Sequence, residues 1–367
     1  MSTETIKQTL EVLHCSGSPK ERGMQQGEAL RDLIQIGIGS WLDKLGTTHG
    51  IDPDAYIAEF LRNTTYRSSI ERWAAELLFE VHGIAAGSGQ PVDRVLVYSM
   101  VDEEWRYSQT RRNSEAPGCT AVGIRAENGR PTLMGQTMDL PSVHDGTQVV
   151  VIHEEQGAPT QAVFTAAGMI GLMGVNSAGV GLCVNNLDVL PAARTGVPVT
   201  FIERKLLDAY SVEDASYALR AMPQAIGQHY LIGDPTALVS YEADAARVIG
   251  GSEALRVVAH ANHPIYDPPG KPEFEAIYTG SNTRNRMACM ADLTQNAASL
   301  DDVAGALADT SAPISREPAN GFMTFGAMAA ELSSPPVARF APGPPHLRPF
   351  VEVTVPAGGE VNLAETA

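Results

Sequence analysis

The first third of the chain has the hydrophobic spacing of helices. Ser18-Pro19-Lys20-Glu21 has the sequence of a capping box with proline at the first helical position. Apolar residues then recur at intervals of three and four, at Leu30, Ile34, Ile38, Trp41 and Leu45. A second helical stretch is predicted from about 54 to 81, and a third ends near Tyr107. Residues 1–118 are therefore predicted to be mainly helical.

The pattern changes from about residue 119 to 190, where short strands are separated by turns. The turn sequences are Glu127-Asn128-Gly129, Gln156-Gly157-Ala158-Pro159 and Asn176-Ser177-Ala178-Gly179. We expect an antiparallel meander here. Helices are predicted again at about 198–222 and 283–310, and strands at about 229–262 and 322–355. This order is typical of two antiparallel sheets packed together with helices outside them.

The composition is that of a globular protein with a sizeable core. The chain has 367 residues, of which 44% are hydrophobic and 19% are charged. It contains no run of 18 apolar residues, and its first residues lack the basic start and apolar run of a signal peptide. We therefore expect a cytoplasmic protein without a membrane partner. The net charge of −17 disfavours nucleic acid as a partner, although its first consequence is solubility.

The cysteines are few and far apart in the sequence. They are Cys15, Cys119, Cys183 and Cys289, and no two of them form a C-x-x-C pair. This spacing argues against a disulfide framework and against a zinc site. We therefore expect reduced thiols and no metal.

One of these cysteines lies in a context that suggests chemistry. Cys119 opens a predicted strand, 120–124, which an Asn-Gly turn connects to a returning strand, 132–136. The hairpin is predicted to bring Asp139 beside Cys119. Gly118 has no side chain to obstruct attack on its carbonyl, so the pattern suits a precursor that cleaves itself between Gly118 and Cys119. The released α-amine would then serve as the base for the thiol. A buried structural cysteine is the simpler interpretation of the tripeptide alone.

Five phrases of the sequence, taken in order, carry a resemblance to a known family. They are 16–23, Gly118-Cys119-Thr120, 135–139, 168–187 and Ala261-Asn262-His263. The chain resembles the acyl-coenzyme A:isopenicillin N acyltransferases and their bacterial relatives, the cysteine-type N-terminal nucleophile hydrolases. It departs from the family pattern at Thr137-Met138, where the family usually shows Asn-Trp, so the wall of the acyl pocket is expected to differ.

The resemblance implies an α+β fold and a maturation step. The fold is a four-layer αββα sandwich of two antiparallel sheets with outer helices, plus a helical N-terminal segment. Autoproteolysis would divide the chain into a segment of residues 1–118 and a catalytic segment of residues 119–367, and the cleaved N-terminal fragment would remain a partner of the larger one. The resemblance implies no cofactor, and it allows a homo-oligomer.

The resemblance also assigns roles to individual residues. Cys119 would be the nucleophile, Asp139 the orienting carboxylate and Asn262 the donor to the oxyanion. The substrate-binding residues would be Gln136, Thr137 and Asn185.

The implied activity is that of an amidohydrolase or acyltransferase acting through a Cys119 acyl-enzyme. The substrate would be a small N-acyl amide or acyl thioester, and the acyl group would pass to water or to an amine. The acyl group itself is left open among simple N-acyl amides, β-alanyl amines, penicillin-type amides and acyl-coenzyme A thioesters.

Two alternatives remain at the level of sequence. In the first, a histidine is the base for Cys119 as in papain-like enzymes, and the candidates are His144, His229, His260 and His263. In the second, the chain is an inactive acidic binding protein that keeps the same fold.

Overall fold

The computed structural model describes residues 10–108, 118–252, 255–266, 278 and 281–358. Within this part of the chain, none of the helices has both the length and the apolar character that crossing a membrane requires. The chain begins with strand β1 (Glu11–Ser16) and continues through helices α1 (Pro19–Ala29), α2 (Arg31–His49), α3 (Pro53–Asn63), α4 (Tyr66–Trp73), α5 (Ala75–Ser88), α6 (Val92–Tyr98) and α7 (Val101–Ser108).

The second part of the chain is rich in strands. It contains β2 (Thr120–Ile124), β3 (Thr132–Pro141), β4 (Gln148–Glu154), β5 (Gln161–Ala166), β6 (Met173–Asn176), β7 (Gly181–Asn186), α8 (Val199–Leu206) and α9 (Val212–Ala221). It ends with β8 (Gln228–Gly233), β9 (Leu238–Ala243), β10 (Val248–Ser252), β11 (Val257–His260), α10 (Thr283–Thr294), α11 (Leu300–Leu307), β12 (Phe322–Leu332), β13 (Val337–Ala341) and β14 (Val351–Val353).

The helical N-terminal part agrees with the sequence in type but not in number of helices. The capping box at Ser18 forms, with the Ser18 backbone N–H donating to Glu21 Oε2 over 2.8 Å. The prediction of one helix from 54 to 81 is wrong, because the chain leaves the helical region at Thr64 and again at Ala74. At the first break the backbone N–H of Thr65 donates to the distant carbonyl of Arg194 over 2.8 Å, a tertiary bond that periodicity does not reveal. Strand β1 was also not predicted.

The strands form two sheets. The eight-stranded sheet has the order β1-β4-β5-β6-β7-β8-β9-β10, and the six-stranded sheet has the order β11-β2-β3-β12-β13-β14. The β1–β4 pair is parallel and the other pairs are antiparallel. The single meander predicted for 119–190 is therefore wrong, because the chain passes from one sheet to the other between β3 and β4.

The two sheets pack face to face between helices. Phe164 of β5 meets Phe325 of β12 edge to face, with ring centroids 5.6 Å apart, so these side chains join the inner faces. On the outer face of the eight-stranded sheet, the Asn176 side chain donates to the Leu207 carbonyl at the end of α8 over 2.8 Å. On the outer face of the six-stranded sheet, Leu307 of α11 lies against Gly135 of β3. This layering confirms the predicted α+β fold of four αββα layers.

Helices α1 and α5 contact each other backbone to backbone through glycines. A Cβ atom on Gly23 would lie 2.0 Å from the carbonyl oxygen of Glu80, and one on Gly83 would lie 2.2 Å from that of Lys20. Only glycine permits this approach. The contact also places the Glu80 side chain, whose Oε1 lies 2.6 Å from Arg204 Nη1 on α8. The N-terminal helices thus fix a helix of the second part of the chain.

Gly83→Ala is expected to lower the free energy of unfolding by about 1–3 kcal/mol, because the added methyl group must push two helix backbones apart. Gly39→Ala in α2 is the matched control, since a Cβ atom there meets no atom within 4 Å. The control is expected to raise stability by about 0.5–1 kcal/mol. Urea unfolding of both variants measures the difference, and equal effects would contradict the close packing.

Candidate functional site

The β2–β3 hairpin brings Asp139 to the start of β2, as the sequence predicts. Asn128 and Gly129 have φ values of 53° and 78°, which are the left-handed conformations that this two-residue turn requires. Thr120 pairs with Thr137 across the hairpin. Asp139 Oδ2 accepts a hydrogen bond from the Gly118 backbone N–H at 3.3 Å, and its Oδ1 accepts one from the Thr324 hydroxyl at 2.7 Å.

Arg286 on α10 binds the chain on both sides of the Gly118–Cys119 bond. Its Nη1 donates to the carbonyl oxygens of Gly118 at 3.0 Å and Cys119 at 2.7 Å, and to the Thr120 hydroxyl at 2.7 Å. A Cβ atom on Gly118 would lie 2.2 Å from Arg286 Nη2, so the guanidinium occupies the space that a side chain would need. Sequence reasoning missed this residue, which lies 167 positions from Cys119 and in no recognised motif.

The same guanidinium orients Asn262. Arg286 Nη2 donates to Asn262 Oδ1 over 3.0 Å, and because arginine only donates, the amide nitrogen of Asn262 must point the other way. That nitrogen donates to the Asn186 carbonyl over 3.0 Å. The Asn262 backbone N–H donates to the Thr283 hydroxyl over 2.8 Å. The side chain and the backbone of Asn262 are therefore both held by residues in the first turn of α10, Arg286 and Thr283.

Cys119, Asp139 and Asn262 line one cleft of about 450 Å³, which includes its open mouth. Its other described walls are largely apolar, with Trp105 and Leu172 among them. The structure thus brings together the three predicted catalytic residues.

The three predicted substrate-binding residues lie outside the set of residues that line this cleft. Gln136 is buried, and its amide exchanges two hydrogen bonds with the backbone of Val184 in the opposite sheet. Thr137 is buried, and among the described residues its hydroxyl has no hydrogen-bond partner. Asn185 Oδ1 lies 2.7 Å from His229 Nδ1. The amide nitrogen of Asn185 is buried and has no hydrogen-bond partner among the described residues. Their roles in substrate binding stay predictions.

The candidate histidine bases bond groups other than Cys119, and His263 is one of them, with its Nδ1 3.1 Å from the Thr283 hydroxyl. His144 bonds the Tyr98 hydroxyl at 3.1 Å, and burial lowers the pKa of His144 to about 3. His229 and His260 stack with ring centroids 3.6 Å apart, and His260 lies 2.9 Å from a carboxylate oxygen of Glu242. Of the described residues that line the cleft, none is a histidine. The geometry therefore gives the papain-like alternative no support.

Burial controls the protonation of the reacting groups. It raises the pKa of the Cys119 thiol to about 12, and the nearby Asp139 carboxylate adds to this shift. Burial also raises the pKa of Asp139, while the Arg286 guanidinium opposes that change. The thiol of the continuous chain is therefore protonated at neutral pH and needs a proton acceptor before it can attack.

Two further carboxylates line the cleft, and sequence reasoning missed both. The Asp102 carboxylate accepts hydrogen bonds from Asn186 Nδ2 at 3.1 Å and from Gln228 Nε2 at 2.8 Å. Glu203 of α8 is 2% exposed, and burial raises its pKa well above the ordinary value, with a further contribution from Asp102. Glu203 directly follows the apolar pair Phe201-Ile202 in α8, which is the signal that the sequence did offer. Within the described residues, no three histidine, cysteine or acidic side chains are grouped to hold a metal ion.

Known proteins resemble this chain in sequence. Residues 124–336 match the family model described as acyl-coenzyme A:6-aminopenicillanic acid acyl-transferase. This match begins just after Cys119 and includes Asp139, Asn262 and Arg286. Over 208 residues the chain is 29% identical to the acyl-coenzyme A:6-aminopenicillanic-acid-acyltransferase 40 kDa form of Emericella nidulans, covering 56% of this chain and 55% of that protein. The chain thus spans about half the length of this curated relative.

Solved structures show a more distant similarity. Penicillin V acylase from Agrobacterium tumefaciens is 15% identical with a TM-score of 0.42, over 61% of this chain and 83% of that one. A variant of conjugated bile acid hydrolase from Clostridium perfringens is 13% identical with a TM-score of 0.45, over 67% of this chain and 99% of that one. The family match, by contrast, covers more than half of the chain. The chain belongs to the acyl-coenzyme A:6-aminopenicillanic acid acyltransferase family.

Proposed function

We propose that the protein is an N-terminal nucleophile amidohydrolase or acyltransferase that matures by cleaving its own chain before Cys119. The observation that carries the proposal is the arrangement around Arg286. One guanidinium bonds the carbonyl oxygen of the scissile Gly118–Cys119 bond and orients Asn262 in the cleft that Cys119 lines. Membership of an acyltransferase family supports the same reaction class.

The proposed maturation begins with attack of the Cys119 thiol on the Gly118 carbonyl carbon. Arg286 Nη1, at 3.0 Å from that carbonyl oxygen, stabilises the negative charge that develops on it. The bond between the Gly118 carbon and the Cys119 nitrogen breaks, the nitrogen takes the proton of the thiol, and a thioester forms. Water then hydrolyses the thioester, which yields the Gly118 carboxylate, the free thiol and the α-amine of Cys119.

The new α-amine supplies the missing base. An α-amino group has an ordinary pKa of about 7.7–8.0, so at neutral pH it can accept the proton of a neighbouring thiol. Asp139 is proposed to hold this amine, since its Oδ2 lies 3.3 Å from the backbone nitrogen of the neighbouring residue, Gly118. The Thr324 hydroxyl fixes the other carboxylate oxygen.

In turnover, the Cys119 thiolate attacks the acyl carbonyl of a small amide or thioester. One hydrogen of Asn262 Nδ2 bonds the Asn186 carbonyl, and the second is proposed to bond the oxyanion. The leaving amine or thiol takes a proton as the intermediate collapses to an acyl-enzyme. Water or an amine then attacks this acyl-enzyme, restores the thiol and releases the acyl product.

Autoproteolysis is expected to produce fragments of 118 and 249 residues, the larger beginning with Cys119. Cys119→Ala is expected to remain a single, inactive chain because it has no thiol to attack Gly118. Cys183→Ala is the matched control, since Cys183 is a buried cysteine of the opposite sheet. Intact-mass analysis of freshly purified proteins measures all three. A fully active, uncleaved wild-type chain would refute the maturation step.

Asn262→Ala is expected to lower kcat and kcat/KM alike, by about 10²–10³-fold, because the oxyanion exists only after attack. KM is expected to stay nearly unchanged. Steady-state kinetics and thermal melting are measured on one preparation, with an assay panel of small N-acyl amides and acyl thioesters.

Asn262→Asp is the near-isosteric control for this prediction. The carboxylate keeps an acceptor for Arg286 Nη2 and removes the amide donor, so turnover is expected to fall as in the alanine variant. A lower melting temperature with an intact kcat in both variants would make Asn262 a structural residue.

A further inference from the structure

Among the described residues, acidic side chains line the cleft and no basic one does. Three carboxylates line it, those of Asp102, Asp139 and Glu203, and among the described lining residues there is no lysine, arginine or histidine. A cleft with apolar walls and one sign of charge concentrates ligands of the opposite sign. The Arg286 guanidinium opposes the charge of Asp139, whereas Asp102 and Glu203 have no such cation among the residues that line the cleft, so these two carboxylates are the ones available to a ligand.

Two buried acceptor atoms on the wall of this cleft lack a donor within the described residues. They are Glu203 Oε2 and Gln228 Oε1, in side chains that are 2% and 1% exposed. The orientation of Gln228 is fixed, because its Nε2 donates to Asp102 over 2.8 Å and its oxygen must therefore face away from that carboxylate. A buried polar atom without a partner costs about 1–3 kcal/mol. Such an atom calls for a donor supplied by something else.

The surrounding charges do not compensate Glu203. Its neighbour in sequence, Arg204, donates to Glu80 Oε1 at 2.6 Å, to the Ile170 carbonyl at 2.8 Å and to Gln161 Oε1 at 2.8 Å. Glu103 instead adds negative charge: one of its oxygens accepts from the Val199 backbone N–H at the start of α8, and the other has no partner among the described residues. The contacts of Arg204 and Glu103 therefore hold helix α8 in place, while the Glu203 carboxylate has no cation to pair with among these residues.

We propose that this cleft selects substrates that carry a protonated primary amine, bound by Glu203 Oε2, Gln228 Oε1 and the Asp102 carboxylate. An ammonium group has three donors and a compact positive charge, which suits a cleft that is lined by several acceptors. Trp105 and Leu172 line the same cleft and supply apolar contact for the carbon chain between the ammonium and the reacting carbonyl. As a statement about substrates, this inference rests on the proposed function of Cys119.

The electrostatic environment of Glu203 is consistent with this site. The groups that act on it are Asp102 and Glu103 from α7 and Tyr230 from β8, and burial with the two carboxylates raises the pKa of Glu203 well above its ordinary value. A bound ammonium would replace the proton as the balancing positive charge. Binding of a cationic amine is therefore expected to favour the ionised form of Glu203, so the affinity for the amine is expected to rise as the pH rises through the pKa of Glu203.

The test is calorimetric binding of three probes with the same chain length: n-butylammonium, 1-butanol and butyrate. Butylammonium is expected to bind at least about tenfold more tightly than the other two, and its affinity is expected to increase with pH because binding favours ionised Glu203. Glu203→Gln is expected to weaken butylammonium binding at least about tenfold. Glu213→Gln is the matched control, since Glu213 is an exposed residue of α9, and it is expected to bind as the wild type does.

Equal affinity of the wild type for the three probes would overturn the proposal, and this comparison needs no variant to fold. Unchanged butylammonium binding by a folded Glu203→Gln variant would overturn it as well. The probes do not react, so the same titration with Cys119→Ala separates the two proposals. Butylammonium binding without amide turnover by the wild type would contradict the proposed function alone, and turnover without butylammonium binding would contradict the ammonium site alone.

Discussion

The site depends on one buried cation. Arg286 is 2% exposed, and its guanidinium bonds carbonyl oxygens on both sides of the Gly118–Cys119 peptide while it fixes the amide of Asn262. A buried charge is tolerated only when it is paired and hydrogen-bonded. Here burial lowers the pKa of Arg286, and the opposing charge of Asp139 counters part of this shift. Cys119, Asp139 and Asn262 are therefore positioned by one electrostatic unit and not by three independent ones.

A second buried ion pair determines the character of the cleft. Glu80 of α5 neutralises Arg204 of α8, so Arg204 has no charge to spare for the adjacent Glu203. Glu80 reaches this position because α1 and α5 approach through glycines. Helix α7 contributes Asp102 and Trp105 to the same cleft. The segment that the proposed maturation would release therefore remains part of the site, which explains in physical terms why the two fragments would have to stay together.

The local part of this site could be predicted from sequence, and the tertiary part could not. The Asn-Gly turn fixes the register of the β2–β3 hairpin, and that register alone brings Asp139 to Cys119. The role predicted for Asn262 came from the resemblance to a known family. Arg286 and Glu203 carried no motif, because their roles arise where distant helices meet the sheets. The helix break at Thr64 and the bond from Gln136 to Val184 likewise depend on partners far along the chain. The polar, aperiodic sequence of residues 108–117 predicts an exposed loop, and residues 109–117 of this segment lie outside the described residues.

The most direct test of the central role of Arg286 is chemical rescue of Arg286→Ala. This variant is expected to accumulate as an uncleaved chain. Guanidinium, at concentrations too low to unfold the protein, is expected to restore cleavage at Gly118–Cys119. Equal concentrations of ammonium are expected not to restore it. The measurement is intact mass against time, with thermal melting as the check on folding. Cleavage of the folded variant at the wild-type rate without added guanidinium would contradict the account.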